Sequence, residues 1–184
     1  MRPIKSLILF ILFSILAGCA TSKSIITTNT NLSAQKSTDI IQLNKSSKIS
    51  VFVPEDGFDL DGSGEIIKGS GLQAANVVTE VLSKYFTHVQ EVTNIKDLNS
   101  EIKSARAKGY NYIVYPKILA WTNHYTFWSG IPNKIEVNLR IYDIKKKHII
   151  DSFTIKSESD LLEQPGETTK DLLYQPLSNI ANRL

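Results

Sequence analysis

The 184 residues hold one cysteine, Cys19, which excludes an internal disulfide and a thiolate metal site. Three histidines, His88, His124 and His148, share no metal-ligand spacing and have no nearby Asp or Glu partner of the triad kind. Charge of neither sign dominates, and a formal net charge of +3 gives no electrostatic case for nucleic acid, which needs a concentrated basic patch. The only basic run, Lys145-Lys146-Lys147, falls between two strand-like segments and reads as a solvated hairpin turn. Glu158, Asp160 and Glu163 are close in sequence, but a polar loop offers nothing to set one carboxyl pKa against another, as a hydrolase requires. No residue set forms a catalytic constellation, and no catalytic residue or cofactor is expected.

The chain begins with a compact export pattern. Met1 to Lys5 is basic, Leu7 to Leu16 is nearly all Leu, Ile and Phe, and small residues precede Cys19. The apolar run is shorter than the roughly 20 residues of a membrane span. Leu16-Ala17-Gly18-Cys19 resembles the lipobox of bacterial lipoproteins. That resemblance implies cleavage after Gly18, acylation of Cys19 with chains such as palmitate, and an anchor of two or three acyl chains that holds far better than one. Ala20 after the cysteine, where inner-membrane retention would favour Asp, implies the periplasmic face of the outer membrane in a Gram-negative cell. Loss of Arg2 and Lys5 with residues 1–18 reduces the 21 basic side chains to 19, against 18 acidic ones.

Residues 19–47 comprise the lipidated cysteine and a stretch rich in Ser, Thr, Asn and Lys, which reads as a flexible tether. As a coil its 28 residues after Cys19 average roughly 30 Å end to end and stretch to about 90 Å. Residues 48–184 suffice for one globular domain with a single core. Lys48 to Val53 reads as a strand, and Ser70 opens a helix whose Leu72, Ala75, Val78, Leu82 and Tyr85 recur at helical spacing. Val89 to Val92 is a second strand, and Ile95 to Lys108 a second helix stopped by Gly109. Tyr112 to Trp121, apolar on both faces, reads as a central strand. Ile135, Val137, Leu139 and Ile141 alternate with Lys134, Glu136, Asn138 and Arg140, so one face of that strand meets a core. Ile149 to Lys156 pairs back as a hairpin, and a helix from about Thr168 to Asn182 carries Pro176, which should kink it.

The expected fold class is α/β (α+β), one mixed sheet of about five strands with three helices in the order β-α-β-α-β-β-β-α. Three helices are too few to cover both faces of such a sheet. A polar face with Glu136 and Arg140 is therefore expected to stay open.

The run Gly109-Tyr110-Asn111-Tyr112-Ile113-Val114-Tyr115-Pro116, then Trp121, Thr126-Phe127-Trp128-Ser129-Gly130-Ile131-Pro132 and Asp171-Leu172-Leu173 resembles an uncharacterised family of proteobacterial lipoproteins, domain of unknown function 4823. Gly69-Ser70-Gly71 is a further match. The element order is also similar to that of the TolB amino-terminal domain and of lipoprotein activators of peptidoglycan synthases, which are non-catalytic docking proteins. Likeness of fold order transfers no site.

Three local patterns bear on function. Trp121, His124, Tyr125, Phe127 and Trp128 crowd the segment between two strands, where rings suit either a partner contact or a lid completing the core. Asp59, Asp61 and Ser63 with Gly62 match the opening of an EF-hand calcium loop, but Ser70 stands where its bidentate Glu belongs. Lys68-Gly69-Ser70-Gly71 at a helix start could hold an anion or simply cap the helix. The combined expectation is a membrane-anchored, non-enzymatic docking module for an envelope protein partner, with Trp121, Tyr125, Phe127, Trp128 and Arg140 as its surface. The alternative is a glycan, small-ligand or calcium binder.

Overall fold

The computed structural model describes residues 23–28, 41–59, 64–92, 97–122, 132–159 and 168–184. Six strands form one sheet in the order β1-β6-β5-β4-β2-β3. They are β1 (Lys23–Thr28), β2 (Lys48–Phe52), β3 (His88–Val92), β4 (Tyr112–Trp121), β5 (Lys134–Asp143) and β6 (His148–Glu158). The described helices are α1 (Ser70–Ser83), α2 (Leu98–Ala107) and α3 (Asp171–Ala181). β2 pairs in parallel with β3 and β4, whereas β4, β5, β6 and β1 pair antiparallel in turn. This is a mixed α/β sheet whose five main strands follow the expected order.

The sixth strand, β1, comes from the segment read as tether. Its Ile25-Ile26-Thr27-Thr28 run is β-branched throughout, a composition that favours a strand wherever an edge is open. β6 offers that edge, with Lys23 opposite Glu158 and Thr28 opposite Phe153.

Alternation on β5 decides what each face of the sheet does. Ile135, Val137, Leu139 and Ile141 are at most 2% exposed and join Ile49, Val51, Val114, Phe153 and Ile155 in one core. Helix α1 lays Ala74, Val78, Val81 and Leu82 on that core, and α3 adds Leu172, Leu173, Leu177 and Ile180. Fully burying each Leu, Ile or Val contributes about 1.5–3 kcal/mol. Pro176 lies inside α3 and is itself buried; the helix runs on through it.

Helix α2 packs on the opposite face. Its Ala105 and Ile102 meet Ile113 and Ile144 in a separate small cluster, so the helices divide between the faces. Asp97 caps α2 by accepting from the Ser100 amide at 2.9 Å. Gly109, at φ 74°, ends it in the left-handed conformation that glycine adopts without a Cβ clash.

The join between β2 and α1 is a clasp. The Asp56 carboxylate accepts from the amides of Gly69 at 3.0 Å and Gly71 at 2.8 Å. In return, Ser70 Oγ accepts from the Gly57 amide at 2.8 Å. The chain's own carboxylate therefore occupies the anion position that Gly69-Ser70-Gly71 creates at the positive end of α1. A Cβ on Gly71 would stand 2.2 Å from the Pro54 carbonyl oxygen. Gly71→Ala is therefore expected to cost about 1–3 kcal/mol in urea denaturation, whereas exposed Gln73→Ala should be close to neutral.

Candidate functional site

The face of the sheet opposite the main core is polar at its centre. Asn138 on β5 is buried, and the two hydrogens of its Nδ2 are shared among Ser152 Oγ at 3.1 Å, the Phe153 carbonyl at 3.2 Å and Thr154 Oγ1 at 3.0 Å. The carbonyl acceptor fixes which end of the amide is nitrogen. That leaves Oδ1 free to accept from Arg140 Nε at 3.0 Å. The half-buried Arg140 guanidinium makes no other hydrogen bond or ion pair among the described residues, so its terminal amines can meet an outside acceptor.

Around this pair the face is mixed. Glu136 and Lys156 form an ion pair at 2.9 Å between directly opposed positions of β5 and β6. Lys117 on β4 is exposed opposite Asn138. Tyr115, opposite Arg140, packs its ring 4.8 Å from Phe52. Nearer α2, Ser50 hydroxyl donates to Glu101, whose other carboxylate oxygen has no partner among the described residues.

Trp121 does not belong to this surface. It is 1% exposed and sits in the core opposite Ile135, which corrects its expected place on a contact surface. A bulge between Ile118 and Ala120 inserts one residue and reverses the alternation. Strict alternation from Tyr115 and Lys117 would have put Trp121 on the polar face. His124, Tyr125, Phe127 and Trp128 lie outside the described residues.

Asp59 is 7% exposed and opens a hairpin closed by Asp59 amide to Glu65 carbonyl at 2.9 Å and Ile67 amide to Gly57 carbonyl at 2.9 Å. Asp61 and Ser63 of the calcium-like pattern lie outside the described residues. Among the described residues no three His, Cys, Asp or Glu side chains gather as a metal site. His88 and His148 open β3 and β6, four strand spacings apart, roughly 19 Å.

A concavity of about 420 Å³ lies at the other end of the sheet, lined by Arg106, Tyr110, Asn111, Tyr112, Asp143, Ile144, Lys145 and Lys147. Burial raises the pKa of both phenols, helped by Glu101 at Tyr110 and by Asp143 at Tyr112. Asp143 Oδ1 is already used by the amides of Lys145 at 2.9 Å and Lys146 at 2.8 Å. These contacts build the β5–β6 turn, where Lys147 takes φ 61°. They place no nucleophile beside a base.

Cys19 and its Leu16-Ala17-Gly18 lead lie outside the described residues. No helix among the described residues is long and apolar enough to cross a membrane. Arg140 is on the polar face of β5, where alternation expects it; its support by Asn138 was missed, although the Asn in an otherwise charged row of β5 was visible.

A family model described as Domain of unknown function (DUF4823) matches residues 41–184. No curated protein sequence matches the chain. Among solved structures, the PelC dodecamer from Paraburkholderia phytofirmans aligns with TM-score 0.64 at 12% identity, covering 86% of this chain and 98% of that one. Lipoprotein GNA1162 from Neisseria meningitidis aligns at TM-score 0.48 and 15% identity, over 74% and 99%. The first likeness establishes a shared fold.

Two outcomes follow from these contacts. Asn138→Leu strands the Ser152 and Thr154 hydroxyls and should lower stability by about 1–3 kcal/mol in urea denaturation. Burial raises the Asp151 pKa above 3.8, against opposing bonds from the Ser152 and Ile41 amides. The folded state then holds this proton more tightly than the unfolded state, so stability falls as pH rises from 3.8 to the raised folded value, and the cost persists above it. Asp151→Asn should remove that slope and raise Tm at neutral pH, read by thermal denaturation across acidic pH.

Proposed function

The chain belongs to the family described as Domain of unknown function (DUF4823), and from that premise we propose that it is a non-enzymatic lipoprotein of the bacterial outer membrane. Cys19 anchors it on the periplasmic side, and the polar sheet face docks an envelope protein. The lipobox residues Leu16, Ala17, Gly18 and Cys19 support the anchor.

The observation that carries the docking reading is Arg140. Its Nε is tied to Asn138, and Asn138 is tied to β6 through three acceptors. A guanidinium held in this way loses little further freedom on binding, and its two terminal amines match a carboxylate in bidentate geometry. The partner chemistry that fits is therefore an acidic side chain entering beside Tyr115 and Lys117. Arginine and tyrosine are also the residues on which interface energy concentrates. A second copy of this chain is the competing occupant, since the PelC of similar fold is a dodecamer.

Photo-crosslinking in intact cells from probes at Arg140 and Trp128, with one at Ala34 as background, tests this. A discrete adduct from a domain probe, absent at Ala34, is expected, and its mass separates a foreign partner from a second copy. Background at both domain positions would contradict docking through them. Cys19→Ser should abolish acylation and deplete the protein from the outer-membrane fraction. Retention of the variant in the outer-membrane fraction would contradict the anchor.

A further inference from the structure

Four large apolar side chains stand exposed among the described residues: Phe58 at 50%, Ile66 at 57%, Leu72 at 46% and Leu119 at 37%. All four lie at one end of the sheet, the end where the parallel strands β2 and β4 finish. Phe58 and Ile66 face each other across an antiparallel bridge. The Phe58 carbonyl accepts from the Trp121 amide at 3.2 Å, two residues beyond Leu119. Leu72 is in the first turn of α1, whose Ser70 holds the Gly57 amide. Scattered apolar exposure needs no explanation, but a group confined to one end does.

Strand register brings the start of the chain to the same end. Trp121 is opposite Ile135, Lys134 is opposite Glu158, and Glu158 is opposite Lys23. Cys19 precedes Lys23 by four residues, at most about 14 Å of extended chain. β1 and β2 are four strand spacings apart, roughly 19 Å. A lipid on Cys19 would therefore hold this whole end of the sheet close to the bilayer, leaving little of the reach of a free tether.

We propose that this end is a membrane-contact surface. Phe58, Ile66, Leu72 and Leu119 enter the interfacial layer of the bilayer that holds the Cys19 acyl chains, and the sheet stands on the membrane. The inference rests on the lipoprotein reading above and adds an orientation to it. The occupant is lipid because the short lead from Cys19 fixes which surface is nearest, and aromatic and aliphatic side chains at such a boundary gain by leaving water. The Lys145–Lys147 turn, at the far end of β5 and β6, then points into the periplasm. The polar face with Arg140 lies at right angles to the bilayer, open to a partner from the side.

The test uses the full chain purified from membranes and reconstituted in phosphatidylethanolamine and phosphatidylglycerol vesicles. An environment-sensitive fluorophore is placed through Ile66→Cys in one preparation and Lys146→Cys in another, with nitroxide-labelled lipid as quencher. Ile66 is exposed, so the label should not disturb the core. The Ile66 probe is expected to shift to the blue and to be quenched several-fold more than the Lys146 probe. The amino-terminal peptide of each preparation is weighed for acyl chains. Acylated Cys19 with equal, water-like emission from both probes overturns the orientation and leaves the anchor standing. Unacylated Cys19 overturns the anchor and the orientation with it. A blue shift that appears without vesicles and grows with protein concentration assigns the apolar end to a second copy and also overturns the proposal.

Discussion

The register of β5 between β4 and β6 is the constraint from which the rest of the fold follows. Ile135, Val137, Leu139 and Ile141 face the core with α1 and α3 above them. A slip of one residue would turn all four to the opposite face and bring Glu136, Asn138 and Arg140 inward. Pairing on both sides makes that slip prohibitive, because β4 and β6 would have to slip with it. The same register sets Asn138 between Ser152 and Thr154 and so aims Arg140. Core and polar face are two results of one alternation.

Around this frame, local polar contacts position the chain. The Asp56 carboxylate uses the free amides at the start of α1, which satisfies donors that a helix cannot satisfy by itself and fixes where β2 gives way to helix. It also explains a glycine-rich sequence that otherwise resembles an anion site: the anion is supplied from within. At the opposite end Asp143 gathers the amides of the lysine turn in the same manner, so lysines that look like a basic patch are the outer side of a tight hairpin.

Much of this was legible from residue order. β4 begins and ends where its apolar run does, and the β5–β6 hairpin follows from alternation broken by three lysines. Three features were hidden for physical reasons. The β-branched run in β1 is flanked by Ser, Thr and Lys, and only the free edge of β6 makes a strand of it. The bulge at Leu119 leaves no mark in composition, yet it carries Trp121 from the polar face to the core. The side taken by α2 depends on a small cluster with Ile113 and Ile144, which helical periodicity alone cannot reveal. At the site, Arg140 could be placed on a face by counting residues. Its fixed orientation required the cross-strand amide of Asn138, a contact of three-dimensional register.

The central claim is that the polar face around Arg140 is covered in the cell and not in the isolated protein. Hydroxyl-radical footprinting of Tyr115, read by mass spectrometry in intact cells and on the purified protein, tests it most directly. Modification of Tyr115 should fall several-fold in cells while exposed side chains of the β5–β6 turn react equally in both. Equal modification of Tyr115 in the two settings would contradict the claim.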